Sequence, residues 1–572
     1  MLNRKLIAII LSALLTACAH APQHDANQGV LSEPVAEKQL NLPNVELSDQ
    51  MLYQFLLGDV AVQRGQNELA TLTYMQLAKS TRDPRVARHA AHLAFETRQM
   101  EKVMEATRLW QELEPESLRA KRMLAAMLVS NGKLDESRAH LKGLLAADPE
   151  HIGDGFMQIY PILARYPDKA AAYDLLHELA APYPQVAESH WALAQLAESN
   201  GQHALALEEA RKANSLRPEW DSAVMLQAQL QQRETPQQAL ALLKKYLAEH
   251  PDNKDVRLFY ARMLTEQKQN PEARIQFQRM LDEYPESADL AFAVALLSLE
   301  MGELDRAEKE LQHSLSNGKK DQDAVYYYLG QLSEARHADD EAVQNYRKVQ
   351  NGEYAFSASL RAAYILNKTG KMEEAREQLR HTVAQNDPQR AQLALIEARI
   401  LRDTKQHEAA YMVLQQGLEK QPENPDFLYE AGMLADQLGQ HEAFEKMMRK
   451  LIQIKPDFAH GYNALGYSFL ERNEHLSEGM QLVEKAHQLA PDDAAIMDSV
   501  GWGYYRLGNL SKSLEFLRRA YGVNPDPEIA AHLGEVLWVR GDKDEARKIW
   551  QQALQAHSDN AVLDAVVKKF LP

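Results

Sequence analysis

Apolar and small residues recur along this chain with helical spacing, and the pattern itself repeats about every 34 residues. The clearest copy runs from residue 494 to residue 525. Its regularly placed residues are Val500, Gly501, Tyr504, Leu507, Gly508, Ser513, Leu517, Ala520 and Pro525. Gly501 and Ala520 are small, which allows two antiparallel helices to cross closely, and Pro525 ends the second helix. The pattern therefore predicts a helical hairpin, which buries its apolar faces only when neighbouring hairpins stack on it.

The same pattern sets the register of the whole chain. Hairpins are predicted to begin near Met51, Pro84, Leu118, Gly153, Ala187, Trp220, Lys254, Ala288, Asp323, Phe356, Ala391, Pro425, Ala459, Ala494 and Pro527. We therefore expect an all-α chain with about fifteen helix-turn-helix repeats over residues 51–559. A capping helix is expected over residues 560–572, with Val562, Val566, Val567 and Phe570 covering the last repeat. Pro161 falls inside a predicted first helix and should kink or break it.

These residues resemble the signature of the tetratricopeptide repeat (TPR), in which an aromatic, Leu-Gly, Tyr, Ala and Pro recur at set positions. The resemblance covers nearly all of the chain after its first fifty residues. It implies a superhelical solenoid in which the first helix of each repeat lines a concave groove. It is specific for fold and says little about function.

The first 50 residues have a different character. Arg4 and Lys5 precede an apolar run of about ten residues, which is too short to span a bilayer and is typical of a signal peptide over residues 1–17. Leu15-Thr16-Ala17-Cys18 resembles the bacterial lipobox, which implies lipidation of Cys18 and anchoring in the outer membrane; an ordinary cleaved signal is the alternative. Residues 18–50 should form the lipidated end and a flexible tether, with Ser48 capping the first helix.

Composition limits the chemistry. The formal net charge is -17 and the pI is near 5.7, which argues against nucleic acid as a partner. Cys18 is the sole cysteine, so the sequence predicts neither a disulfide framework nor a cysteine metal site. His89 and His92 lie one helical turn apart and are either a metal pair or, more simply, two solvated side chains. No catalytic motif and no cofactor motif is found, so we expect a protein that is not an enzyme.

Function is therefore expected in the groove. In the predicted register, Trp110, Trp550 and Phe277 occupy packing positions and belong to the core. A second set occupies groove positions on first helices: Tyr429, Asn463, Tyr467, Asp498, Trp502, Tyr505 and Trp538. Aromatic rings beside amide and carboxylate groups are typical of a protein-binding surface. Alternatively, these rings pack against one another between the first helices.

Basic residues form another candidate surface near the start of the array. Arg85, Arg88, His92, Arg119 and Arg122 occupy groove positions of the second and third repeats. In an acidic protein they would suit an anionic segment of a partner, or they simply form a solvated face.

A signal peptide, a lipobox, a tether and about fifteen repeats together resemble the outer-membrane TPR lipoproteins of Gram-negative bacteria. Some of these are adaptors that bring cell-wall hydrolases to periplasmic carboxyl-terminal processing proteases. Others act in polysaccharide export, pilus assembly or envelope assembly. The resemblance thus implies a periplasmic scaffold held to the outer membrane by lipid. Its partners would be proteins, among them a processing protease and its substrates; a glycan-binding groove is the alternative.

Overall fold

The computed structural model describes residues 42–556 and 560–571. The predicted signal peptide, Cys18 and most of the tether lie outside the described residues. The first described helix begins at Asp49, and the Ser48 hydroxyl accepts a hydrogen bond from the Met51 amide at 3.3 Å. The predicted cap of the first helix is therefore confirmed. By contacts the chain divides into two units, with the boundary between Lys319 and Lys320.

Unit 1 contains sixteen of the described α-helices. They are α1 Asp49–Gln63, α2 Asn67–Thr81, α3 Pro84–Glu96, α4 Met100–Leu113, α5 Leu118–Ser130, α6 Leu134–Ala146, α7 Ile152–Leu163, α8 Lys169–Ala180, α9 Ala187–Ser199, α10 His203–Leu216, α11 Asp221–Gln231, α12 Pro236–Glu249, α13 Lys254–Glu266, α14 Asn270–Glu283, α15 Ala288–Glu300 and α16 Leu304–Ser316. A short 3₁₀ turn, Pro149–His151, precedes α7.

Unit 2 contains the other fifteen. They are α17 Gln322–Ala335, α18 Asp339–Arg347, α19 Ala355–Lys368, α20 Met372–His381, α21 Asp387–Asp403, α22 His407–Lys420, α23 Pro425–Gln437, α24 His441–Ile454, α25 Ala459–Glu471, α26 Leu476–Leu489, α27 Ala494–Arg506, α28 Leu510–Val523, α29 Pro527–Arg540, α30 Lys543–Ala556 and α31 Ala561–Phe570.

Successive helices pair into closely packed hairpins, seven in each unit, and α31 follows the last pair. The exception is α7 with α8, which contact each other little; α7 packs mainly against α9. The all-α repeat fold is thus confirmed for the described residues. Each first helix begins within two residues of its predicted start except α21, which begins at Asp387 rather than near Ala391. The reason is local, because Asn386 caps this helix by accepting a hydrogen bond from the Gln389 amide at 2.9 Å.

The predicted close crossing of helices is present in the hairpin of α27 and α28. A Cβ atom on Gly501 would lie 2.7 Å from Leu517 Cγ, so no larger residue fits without movement. The turn after α27 places Gly508 at φ +80°, a conformation that glycine adopts without strain. Three large rings assigned to the core are buried as predicted: Trp110, Trp550 and Phe277.

Two local predictions need correction in part. Pro161 does not break α7, which ends two residues later at Leu163, and the amide of the following Ala164 bonds to the Tyr160 carbonyl at 2.8 Å. A kink at Pro161 stays a prediction. Pro161 lies near the end of the helix, where few later residues depend on its geometry.

In the capping helix α31, Val562 is 45% exposed, so its predicted covering role is wrong. Leu563 is fully buried instead and packs with Val566, Val567 and Phe570 against the last repeat. These four follow the helical spacing i, i+3, i+4 and i+7 without interruption, which Val562 does not share. Phe570 stacks on Trp550 with ring centroids 5.8 Å apart.

Candidate functional site

Three successive first helices of unit 2 bring predicted groove residues together around a histidine. Asp498 and Trp502 are one helical turn apart on α27 and both contact His532 of α29. His532 Nδ1 lies 2.9 Å from Asp498 Oδ2. The Trp502 ring stacks on the His532 ring with centroids 4.2 Å apart and planes 23° apart. Tyr467 of α25 lies 6.2 Å from His532, between ring centroids. We call Tyr467, Asp498, Trp502 and His532 the His532 cluster.

Burial corrects the picture of an exposed aromatic surface. Trp502 is 5% exposed, Asp498 6% and His532 7%, so the alternative in which the rings pack against one another holds for this cluster. Tyr467 is half-buried. The register assigned the groove from positions within one repeat, whereas the Trp502 ring is covered by His532 from the next repeat. Asp498 and His532 are 34 residues apart, which is one repeat length, and this separation could have indicated that they face each other on neighbouring first helices.

Carboxylates surround this cluster and shift its titration. Burial alone would lower the pKa of His532, but the carboxylates of Asp498, Glu471 and Glu528 raise it, and the net direction is upward. Burial raises the pKa of the Tyr467 phenol, and Glu471 and Asp498 raise it further. Burial also raises the pKa of Glu528. A protonated His532 thus offsets part of the negative charge on this face.

Tyr505 and Trp538 belong to the end of the array. Both side chains are half-buried. The Tyr505 hydroxyl donates to Glu535 Oε1 at 3.2 Å, and Lys569 Nζ of α31 lies 3.1 Å from the same oxygen. Burial, followed by Glu535, raises the pKa of Tyr505 to about 12. Trp538 lies 5.8 Å from Trp550 and contacts the capping helix, so it contributes to the terminal core.

The remaining two predicted groove residues lie apart from His532. Tyr429 packs edge-on against Phe458 with centroids 5.4 Å apart. Asn463 is half-buried, and its Oδ1 atom has no hydrogen-bond partner among the described residues. The structure therefore divides the seven predicted groove residues into one packed cluster, a terminal core and two separate side chains.

The basic residues of unit 1 are partly brought together. Arg85 is neutralised by Asp83, whose Oδ2 lies 2.7 Å from Arg85 Nη2. Arg88, Arg119 and Arg122 have no carboxylate within ion-pair distance in the described part of the chain. Arg122 makes one contact, from Nη1 to Gln158 Oε1 at 3.5 Å. We call Arg88, Arg119 and Arg122 the arginine surface.

The two histidines beside this surface each contact an aromatic ring. His89 packs edge-on against Tyr74 with centroids 4.4 Å apart, while His92 lies 6.0 Å from Trp110. Burial lowers the pKa of His92, and Arg88 lowers it further. Within the described ranges, no group of three side chains is placed to hold a metal ion.

A third surface was missed by the sequence reasoning. Helix α1 exposes five large apolar side chains: Leu52 by 47%, Tyr53 by 64%, Leu56 by 57%, Val60 by 42% and Val62 by 39%. Three of them follow one another at intervals of four, so they lie on one side of the helix. The spacing is visible in the sequence at residues 52, 56 and 60, but the sequence does not show that no neighbouring helix covers them. We call Leu52, Tyr53, Leu56 and Val60 the α1 apolar face.

Comparisons with known proteins agree with the repeat fold. Models described as tetratricopeptide repeat match residues 231–279, 425–458 and 501–561. TPR repeat-containing protein PA4667 of Pseudomonas aeruginosa is 32% identical over 539 residues, covering 93% of this chain and 90% of that protein. Human protein O-mannosyl-transferase TMTC1 is 24% identical over 169 residues, which cover 28% of this chain and 19% of that protein.

Among solved structures, the thermophilic TPR protein TTC0263 of Thermus thermophilus matches with a TM-score of 0.30 and 23% identity, over 32% of this chain and 99% of that one. MamA of Desulfovibrio magneticus matches with a TM-score of 0.26 and 19% identity, over 30% of this chain and 98% of that one. No helix in the described ranges is both long enough and apolar enough to cross a bilayer.

Proposed function

This chain belongs to the tetratricopeptide-repeat family that includes TPR repeat-containing protein PA4667, and from that premise we propose that it is an outer-membrane scaffold that brings a processing protease to its protein substrates in the periplasm. Its repeats provide protein-protein interaction surfaces. The finer role as a protease adaptor, the lipid anchor at Cys18 and the outer-membrane location are parts of the proposal.

The α1 apolar face carries the proposal. The outer face of a terminal repeat in a solenoid is normally polar, because no further repeat covers it. Helix α1 instead exposes Leu52, Tyr53, Leu56 and Val60. Burying half of each side chain against a partner would contribute roughly 1 kcal/mol apiece, or about 4 kcal/mol together. That is a substantial share of a protein-protein affinity, so we assign this face to docking of the protease.

Burial of the aromatic rings weighs against a glycan-binding function. Sugar rings stack on an exposed aromatic face. Trp502 is covered by His532 and has 5% of its surface exposed. A glycan-binding groove would therefore need another aromatic platform, whereas a protein-binding scaffold needs none.

The test compares two double variants of the full-length protein. Leu52→Glu with Leu56→Glu adds two charges to the α1 apolar face. The matched control, Tyr364→Glu with Met412→Glu, adds two charges at side chains exposed by 58% and 59% in unit 2. Affinity capture from envelope extract would measure the carboxyl-terminal processing protease that each variant retains.

We expect the α1 variant to capture at least tenfold less protease than wild type, while the control captures as much as wild type. In cells that carry the α1 variant, the wall-hydrolase substrates should accumulate. Hydrogen exchange would check that α3 and later helices keep their protection. Equal capture by both variants would refute docking at α1, and absence of the protease from wild-type eluates would refute the adaptor role.

A further inference from the structure

The arginine surface contrasts with basic side chains close by in the chain that are charge-paired. Arg82, directly after α2, bonds Glu112 at 2.6 Å, and Arg108 of α4 bonds Glu136 at 3.2 Å, each bridging adjacent repeats. First helix α5, by contrast, contains no acidic residue, and in α3 the single acidic residue is Glu96. The whole chain has 81 acidic residues against 64 basic ones. A basic face without local carboxylates is therefore not a consequence of composition.

Burial adds to the cost of this arrangement. Arg119 and Arg122 are half-buried, and Arg88 is exposed. Burial and the neighbouring Arg119 both lower the pKa of Arg122. A guanidinium that is partly withdrawn from water and repelled by a like charge destabilises the fold, unless an anion compensates for it.

We propose that Arg88, Arg119 and Arg122 bind an extended acidic segment of a protein substrate. Arg119 and Arg122 lie one helical turn apart, roughly 5–6 Å between Cβ atoms. Arg88 lies on the preceding first helix, and packed helices are separated by roughly 8–10 Å. Side chains on one face of an extended chain recur about every 7 Å. Two or three alternate carboxylates of one segment therefore match the spread of the three guanidinium groups, each of which can bond a carboxylate through two N–H donors.

Burial also favours a peptide over a bilayer surface. A flat sheet of lipid headgroups contacts side chains that protrude, whereas Arg119 and Arg122 are half-buried and need a ligand that enters between the helices. A protein segment can present single carboxylates at the required depth.

This inference rests on the proposed function, because it names the chemistry of the substrate that the scaffold would present. The docking surface for the protease and the surface for the substrate are separate sets of residues on α1 and on α3 with α5. Their tests can therefore fail independently.

The experiment measures binding of a fluorescein-labelled peptide of about twelve alternating Glu and Ser residues to the full-length protein by fluorescence anisotropy. The test variant is Arg119→Gln with Arg122→Gln. The matched control is Arg211→Gln with Arg279→Gln, which removes the same charge from two exposed arginines on second helices of unit 1. Peptides with Gln or Lys in place of Glu, and vesicles of anionic phospholipid, are the competing ligands.

We expect the test variant to bind the acidic peptide at least tenfold more weakly, and the control to stay within about twofold of wild type. Raising the salt concentration should weaken wild-type binding. The test variant should also melt no earlier than wild type, because it loses a half-buried like-charge pair; a purely structural role would lower its melting temperature.

Three results would overturn the inference. The test variant and the control variant could bind the acidic peptide with equal affinity, or wild type could bind the Gln peptide as tightly as the acidic peptide. Finally, wild type could bind vesicles through the arginines without binding the acidic peptide. The Leu52→Glu with Leu56→Glu variant should bind the acidic peptide normally. If this variant binds the acidic peptide normally but no longer captures the protease, both proposals stand. If wild type binds the peptide but captures no protease, the adaptor role alone fails.

Discussion

Replacement of Trp502 by alanine tests whether the His532 cluster is part of the core. Trp502 is 5% exposed, its ring stacks 4.2 Å from His532, and the Tyr505 ring lies 5.0 Å away. Trp502→Ala would remove these contacts and leave a cavity between α27 and α29. Such a change costs about 3–5 kcal/mol in a core, whereas it would cost less than about 1 kcal/mol on an exposed groove.

Hydrogen exchange read by mass spectrometry is the suitable assay, because a repeat array need not unfold in one step. A local loss of about 3 kcal/mol corresponds to roughly a hundredfold faster exchange. Trp550→Ala, at a residue 1% exposed, is the core control, and Tyr364→Ala, at a residue 58% exposed, is the surface control. We expect amides of α27 in Trp502→Ala to accelerate as those of α29 do in Trp550→Ala. Exchange as slow as in Tyr364→Ala would refute the packed cluster.

The result bears on any binding measurement made with this residue. If Trp502→Ala loosens α27, loss of a partner in that variant does not identify a binding site. Trp502→Phe keeps an aromatic ring against His532 and should cost about 1 kcal/mol. Binding that survives in Trp502→Phe and fails in Trp502→Ala would indicate that the ring supports the fold of the site.

The remaining predictions concern packing, pH and the anchor. Gly501→Leu should cost about 1–3 kcal/mol, because its side chain collides with Leu517; hydrogen exchange should show the loss in the C-terminal repeats first. The pKa of His532 is raised above its ordinary value of 6.5, so its stabilising pairing with Asp498 is complete below that pH and is lost as the pH rises through the folded value. Melting temperatures from about pH 6 to about pH 9 should therefore fall more steeply in wild type than in His532→Gln. Cys18→Ala should abolish palmitate labelling and release the protein from outer-membrane fractions, and labelling that persists in the variant would contradict the lipid anchor.

Most of the fold could be predicted because its signals are local. The proline after most second helices, the small residue at the crossing and the glycine in many of the turns act within one hairpin. First helices therefore began within two residues of their predicted starts, and α21 differed because the cap residue Asn386 acts before the apolar pattern begins. The break predicted at Pro161 is absent, and the sequence pattern does not show how near the helix end a proline falls.

The site was harder to predict because its side chains are completed by the next repeat. Positions on α27 correctly placed Asp498 and Trp502 on one face, but not the ring of His532 that covers them. The same limitation explains the α1 apolar face, since spacing alone cannot tell whether a neighbour covers an apolar side. Both cases require knowledge of the adjacent helix, which periodicity within one repeat does not contain.

Equivalent positions in different repeats can be compared within one repeat protein, so a side chain that differs from its equivalents is informative. Other basic side chains on first helices pair with a carboxylate of this chain: Arg402 bonds Glu430 at 2.7 Å, and Arg361 pairs with Glu334. Arg119 and Arg122 occupy first-helix positions of the same kind without a carboxylate. The α1 apolar face is the corresponding exception among apolar side chains, at the end of the described array. Since stacking of repeats explains neither exception, each is better explained by an external partner, an apolar protein surface at α1 and an acidic segment at α3 and α5.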